Sequence, residues 1–246
     1  MESSTLADWF HWRRNQAWVI EECYVKSIDR STKRSLISAV LILAACLILS
    51  VVVLPWDIEL SEGVRGLRLP GDLRKLISLM ELFAHGLGCV LILGTLIWVD
   101  EHNRGKLWVA SGFVLLCGVL SNAAKYLIPR RRPYTLDEAP LQSSWETWGT
   151  PFTESWFDET LRSFPSGHTA TAVAMAIGLS YVYPRGRYMF FLMALLASFQ
   201  RLMSGAHYLS DILASVAMTV VLGVAWLLLR QRQLRIGRSS IGSSDQ

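Results

Sequence analysis

The sequence predicts an all-α polytopic membrane protein, a bundle of six transmembrane helices with both termini cytoplasmic. Three observations carry this expectation. Apolar residues make up 52% of the 246 positions, ten tryptophans are present and the mean hydropathy is positive, a profile unlike that of a soluble domain of this length. The apolar residues gather in runs near the ~20 positions that a helix needs to cross the hydrocarbon core. Lysine and arginine gather in the connections that fall on one side of such a bundle, the side retained in the cytoplasm.

The elements follow in order. Residues 1–35 form a basic arm in which Trp9, Phe10, Trp12 and Trp18 lie beside Arg13 and Arg14, an amphipathic composition suited to the inner leaflet. The chain opens on polar residues, and its first long apolar run starts only near Leu36, so that run is expected to anchor the protein and no cleavable secretion signal is expected. The predicted spans are Leu36 to Leu54, Ile77 to Val99, Leu107 to Ile128, Thr169 to Tyr183, Tyr188 to Met203 and Ile212 to Leu229. Pro184-Arg185-Gly186-Arg187 is a turn-rich basic tetrapeptide that joins spans four and five as a tight hairpin. The transmembrane domain covers 36–230, and 231–246 is expected to be a disordered tail.

Basic residues set the orientation. Arg13, Arg14, Lys26, Arg30, Lys33 and Arg34 precede the first span. Arg104 and Lys106 lie between the second and third, Arg185 and Arg187 between the fourth and fifth, and Arg230, Arg232, Arg235 and Arg238 follow the sixth. With six spans all of these share the cytoplasmic side. Of the cysteines, Cys46, Cys89 and Cys117 lie in spans and Cys23 in the basic arm, so no disulfide and no cysteine metal site is expected. Trp56, Trp98, Trp108, Tyr126 and Trp226 sit near span ends as interfacial anchors.

Three separated segments then fall on the opposite, non-cytoplasmic side: Lys125 through Arg132-Pro133, Pro165-Ser166-Gly167-His168, and Arg201 followed by His207 and Asp211. The first and third supply fixed cations. The second supplies a helix start, where Ser166 is placed as a cap and unsatisfied amides favour an anion, with Gly167 allowing close backbone approach to a phosphate. His207 and Asp211 are four residues apart, a spacing that lets a carboxylate fix one imidazole nitrogen as donor and leave the other free to attack phosphorus. Lys125, Arg132 and Arg201 suit the non-bridging phosphate oxygens, whereas Arg130 and Arg131 read as surface charges facing headgroups.

The pattern Lys125-x6-Arg132-Pro133, Pro165-Ser166-Gly167-His168 and Arg201-x5-His207-x3-Asp211 resembles the type 2 phosphatidic acid phosphatase superfamily, whose site is shared with vanadium haloperoxidases. The resemblance runs from the third span to the sixth. It implies a metal-independent hydrolase without cofactor, in which His207 forms a phosphohistidine and His168 protonates the leaving oxygen. Ser166, Gly167, Lys125, Arg132 and Arg201 would bind the phosphate. By resemblance the substrate is a lipid phosphomonoester or diphosphate, with phosphatidic acid, phosphatidylglycerol phosphate, polyprenyl diphosphate and lipid A phosphate as candidates. The bilayer is the expected surrounding, a bacterial inner membrane with the site facing outward, and no nucleic-acid partner is expected.

One position departs from the family pattern, because serine usually precedes the arginine of the third motif and Gln200 stands here. An amide still donates a hydrogen bond, so altered substrate fit is expected. Glu81 and His85, one helical turn apart in span two, either line the substrate pocket or form a buried pair. The long outer loop, Pro129 to Phe164, carries Trp145, Trp148, Trp156 and Phe157 and either shapes lipid entry or rests at the interface. Rival readings are a metal hydrolase using His168, His207 and Asp211 as ligands, a lipid phosphotransferase, and a non-catalytic lipid-phosphate carrier.

Overall fold

The computed structural model describes residues 36–138, 140–151 and 158–242, with 231–242 described by backbone alone. The basic arm at 1–35, and Trp156 and Phe157 of the outer loop, lie outside the described residues. Contacts divide the chain into two units, 1–41 and 42–246; of the first, only the opening residues of α1 are described.

The described regular structure is helical. Helix α1 (36–53) passes through a 3-10 turn, Leu54–Trp56, into α2 (Asp57–Arg65). Ile48, Val51 and Val52 of α1 are exposed, as expected for a helix whose solvent is lipid. After a short connection come α3 (Gly71–Leu79), α4 (Glu81–Ala84) and α5 (Gly86–Val99). Then follow α6 (Arg104–Leu127), α7 (Gly167–Val182), α8 (Arg187–Met203) and α9 (Leu209–Gly242).

Two features differ from the sequence expectation. The predicted second span, Ile77 to Val99, is not one rod, because the chain bends by 73° between α3–α4 and α5. His85 takes an extended backbone there and caps α5, its Nδ1 accepting the Leu87 N–H at 3.3 Å. Gly88 permits the corner, since a Cβ at that position would lie 1.8 Å from the Leu82 carbonyl oxygen. The second difference is at the C-terminus, where the backbone remains helical through Gly242 instead of becoming disordered at residue 231.

Among the described residues three helices are long and apolar enough to cross a membrane, Leu36–Arg65, Arg104–Leu127 and Leu209–Arg230, with a fourth if the bent pair is one span. The protein is an integral membrane protein of helical spans. Helices α7 and α8, predicted as the fourth and fifth spans, have 16 and 17 residues and sit together on the 3-10 turn Pro184–Gly186.

Helix α7 is the axis of the bundle. Ala170, Ala172, Ala174, Ala176 and Gly178 are buried along it, and small side chains let neighbouring helix backbones approach closely where lipid supplies no hydrophobic drive. It packs against α6, α8 and α9. Toward its C-terminal end Phe113 stacks on Trp226 with ring centroids 4.7 Å apart, and Tyr181 meets Trp226 edge-on at 5.1 Å. The C-terminal ends of α6 and α8 and the N-terminal ends of α7 and α9 consequently share the other end of the bundle, where the three motifs lie.

Candidate active site

The outer loop builds the frame on which the site stands. Backbone N–H groups of Arg130, Arg131 and Arg132 donate to the carbonyls of Leu161, Thr147 and Thr160 at 2.7–2.8 Å, and the Ser163 N–H returns to the Arg130 carbonyl at 3.0 Å. Residues 130–132 are thus gripped between two stretches of the same loop, a stiff setting for Arg132.

Arg130 is the main correction to the sequence reading. Predicted as a surface charge, it is fully buried. Its Nη2 donates to Asp57 Oδ2 at 2.8 Å, its Nη1 to Asp211 Oδ1 at 2.5 Å and Ser210 Oγ at 2.7 Å, and its Nε to Thr147 Oγ1 at 3.0 Å. The Trp148 and Tyr208 rings cover the guanidinium at 4.4 and 4.2 Å. Asp57 also accepts the Ser210 N–H at 3.1 Å. A single guanidinium therefore ties the helix after the first apolar run to the start of α9, and it matches two buried carboxylates with one cation.

Asp211 is held on both oxygens. While Oδ1 faces Arg130, Oδ2 accepts from Ser163 Oγ at 2.6 Å and from the Tyr208 N–H at 3.0 Å. His207 Nδ1 lies 3.8 Å from Oδ2 and only 2.6 Å from the Ser163 carbonyl oxygen. Since a carbonyl can only accept, Nδ1 carries the proton and Nε2 keeps its lone pair. The expected direct histidine–carboxylate hydrogen bond is thereby replaced by one to the backbone. The reason is local: His207 precedes α9, which begins at Leu209, so the two residues do not share a helical face.

The turn that delivers His207 depends on Gly205, whose φ of +67° is in the left-handed region and whose Cβ, if present, would meet Arg65 Nε at 2.9 Å. Tyr134 donates its N–H to the Gly205 carbonyl at 3.0 Å, so the first and third motifs are stitched by backbone. His207 is 1% exposed. Burial pushes its imidazole down to about 4; the nearby Asp211 carboxylate opposes that shift, and Lys125 and Arg132 reinforce it.

The remaining motif residues converge on the same end. Ser166 caps α7, its Oγ accepting the Thr169 N–H at 3.3 Å. Gly167 opens the helix so close to Lys125 that an added Cβ would lie 3.4 Å from its Nζ. Arg132 Nε is buried without a hydrogen-bond partner, an unspent donor beside the site. Arg201 Nη2 pairs with Glu81 at 2.8 Å, its Nη1 lies 3.5 Å from His168 Nε2, and its Nε donates to the Gln200 amide oxygen at 2.5 Å. Glu81 and His85 are drawn into the site: Glu81 Oε1 is 3.7 Å from His168 Nε2, and the His85 ring centroid is 5.9 Å from that of His168.

A cavity of about 610 Å³ opens at His168, Lys125 and Gly167 and continues between α5 and α6, past Gly94 and Gly118, to Ile97 and Trp108. Most of its lining is apolar. The polar groups concentrate at the motif end.

The sequence profile described as the PAP2 superfamily matches residues 106–235. A lipid A 1-phosphatase of Rhizobium etli is 35% identical over 104 residues, a match covering 42% of this chain and 41% of that protein, so the chain matches about two fifths of that curated relative's length. The crystal structure of Aquifex aeolicus LpxE superposes with a TM-score of 0.50 at 23% identity, covering 70% of this chain and 94% of that one. A transmembrane PAP2 type phosphatidylglycerolphosphate phosphatase from Bacillus subtilis covers 79% of this chain and 96% of its own at 19% identity, with a TM-score of 0.48.

Proposed function

The chain belongs to the PAP2 superfamily, and from that membership we propose that it is a metal-independent phosphatase of membrane lipid phosphates, acting through a phosphohistidine on His207. The observation that carries this reading is the proton placement at His207. Its Nδ1 is committed to the Ser163 carbonyl, which leaves Nε2 as a nucleophile, and its buried site holds it neutral.

The reaction follows from that placement. Nε2 of His207 attacks phosphorus while Lys125, Arg132, Arg201 and the amides at the start of α7 hold the non-bridging oxygens and the charge that develops on them. The bond to the lipid oxygen breaks, and His168 gives that oxygen its proton, releasing a lipid alcohol. Water then attacks the phosphohistidine, His168 takes a proton from it, and inorganic phosphate leaves with His207 restored. Three cations around one space favour an anionic phosphoryl group and repel a divalent cation, which supports the metal-independent reading.

The arrangement in the membrane follows from the charges. Arg104, Lys106, Arg185, Arg187 and Arg230 lie at the end of the bundle opposite the motifs, which supports six spans, cytoplasmic termini and a site on the outer face of a bacterial inner membrane. Lipid A 1-phosphate is the first candidate substrate because the curated relative bears that name. The test is phosphate release by the detergent-purified protein from lipid A, phosphatidic acid, phosphatidylglycerol phosphate and polyprenyl phosphates with chelator present. Release that survives chelation supports the reading. Release that needs an added metal, or transfer to a lipid acceptor in its place, overturns it.

The cavity between α5 and α6 is read as the seat of an acyl chain. Its volume and apolar lining match a site for a small apolar ligand. Gly94 lies on it, nine residues and about 13 Å along α5 from the His85 mouth, and a Cβ there meets nothing within 4 Å. Gly94→Leu is expected to lower kcat/KM about tenfold for long-chain lipid phosphates, the scale of a few lost methylene contacts. A lipid with six-carbon chains, which ends short of Gly94, should lose much less. An equal loss on both would mean that the chain lies elsewhere.

A further inference from the structure

We infer that Glu81 makes the leaving-group side of this site accept the oxygen of a lipid alcohol and reject a second phosphate, so that the protein is a phosphomonoesterase and a poor diphosphatase. The inference rests on the phosphatase reading and extends it to substrate class.

Glu81 belongs to none of the three motifs. The bend at His85 brings it in from α4, and its Oε1 stands between Arg201 Nη2 at 2.8 Å and His168 Nε2 at 3.7 Å. Gln200 holds it there, its Nε2 donating to Glu81 Oε2 at 3.4 Å while its Oε1 accepts from Arg201 Nε at 2.5 Å. This gives a role to the glutamine that replaces the usual serine: it is long enough to bridge carboxylate and guanidinium.

The charge balance around His168 then differs between its two sides. The groups that face it are Arg201 from α8, Glu81 from α4, His85 from the bend, Lys125 from α6 and His207 from the turn before α9. Lys125 sits against Gly167, where the transferred phosphoryl group would lie, and the charge of Arg201 is already matched by Glu81. With a phosphomonoester, the group beyond the leaving oxygen is an uncharged alcohol whose hydroxyl or amide neighbours can donate to the carboxylate. With a diphosphate, that group is a second phosphate, and its negative oxygens would face Glu81, while the described cations that face His168, Lys125 and Arg201, are committed to the transferred phosphoryl group and to Glu81 itself. Glu81 is 38% exposed at its side chain, so solvent softens the repulsion without removing it.

The experiment compares a diacylglycerol carrying one phosphate with the same diacylglycerol carrying two, in the same micelles, using the full chain and its Glu81→Gln variant. The wild-type protein is expected to favour the monophosphate in kcat/KM by about tenfold or more, the scale on which facing like charges discriminate between ligands. Glu81→Gln, which is isosteric and keeps an oxygen for Arg201, should lower that preference about tenfold whatever the absolute rates. Gln200→Ser, which releases the carboxylate from its bridge, should move the ratio the same way by less. A wild-type preference for the diphosphate, or a ratio unmoved by either variant while both rates fall together, would overturn the inference and leave Glu81 as an anchor for Arg201. No release from either lipid would remove the phosphatase reading itself and this inference with it.

Discussion

Replacing His207 with asparagine is expected to lower phosphate release on the order of 10⁴-fold or more, the loss seen when a nucleophile that acts in concert with its partners is removed. Asparagine is the informative replacement because its amide nitrogen occupies the place of Nδ1 and can still donate to the Ser163 carbonyl. The frame then stays while the attacking atom is lost. Binding of inorganic phosphate should survive in this variant, since Lys125, Arg132 and Arg201 are untouched. Rapid quenching should trap an acid-labile phosphoprotein in the wild type and none in the variant. Retained turnover in His207→Asn would mean that water attacks the lipid phosphate directly.

The same residue sets the acid side of the pH profile. Burial lowers the His207 imidazole from its ordinary 6.5 to about 4, so the nucleophile stays neutral well below the pH at which a free histidine charges. The limb of kcat/KM that His207 sets is therefore expected near pH 4 and not near 6.5. The proton donor His168, pushed down to about 3 by burial and Arg201, has to be raised by the bound phosphate dianion before it can act as acid; the profile is measured on one lipid across that range. The effect on stability has a definite sign. Between the unfolded value of 6.5 and the folded value of about 4 the unfolded chain takes up a proton that the folded chain refuses, so stability contributed by neutral His207 is complete above 6.5 and declines as pH falls. His207→Asn should flatten that decline.

Much of the site was legible because its residues flank helix ends. Ser166, Gly167 and His168 precede a long apolar run, Lys125 ends one, and the structure places them around one space at one end of the bundle. Other parts have no signature in a one-dimensional pattern. The acceptor for His207 is a backbone carbonyl, which every residue carries. The bend at His85 hides inside an apolar stretch because glycines such as Gly86 and Gly88 are also frequent in uninterrupted membrane helices. Arg130 sits in a run of three arginines beside a proline, a pattern that also describes a headgroup-facing surface. A signal was nevertheless present in Asp57, a carboxylate at the end of an apolar run, where an acid needs a partner. Its partner was 73 residues away.

That pairing yields the largest expected effect on stability. Arg130→Met removes the cation between Asp57 and Asp211 while leaving an unbranched side chain for Trp148 and Tyr208 to pack against. The expected cost is about 3–5 kcal/mol, the range for breaking one side of a buried ion pair, read as a fall in the thermal midpoint in detergent. The cost lies in the orphaned carboxylates more than in lost packing. Asp57→Asn added to Arg130→Met should therefore recover part of the stability, and the two changes should be strongly non-additive because they share one network. Activity should not return with it. Asp211 still lacks the guanidinium that fixes Oδ1, so Oδ2 is free to leave Ser163, whose carbonyl sets the proton on His207. Arg130→Lys separates charge from shape: one ammonium cannot fork between Asp57, Ser210 and Asp211, so it should restore less stability than its charge alone would predict. If Arg130→Met instead unfolds no earlier than the wild type, the buried cluster contributes no stability, and the link from Arg130 through Asp211 and Ser163 to His207 has to be sought in kcat alone.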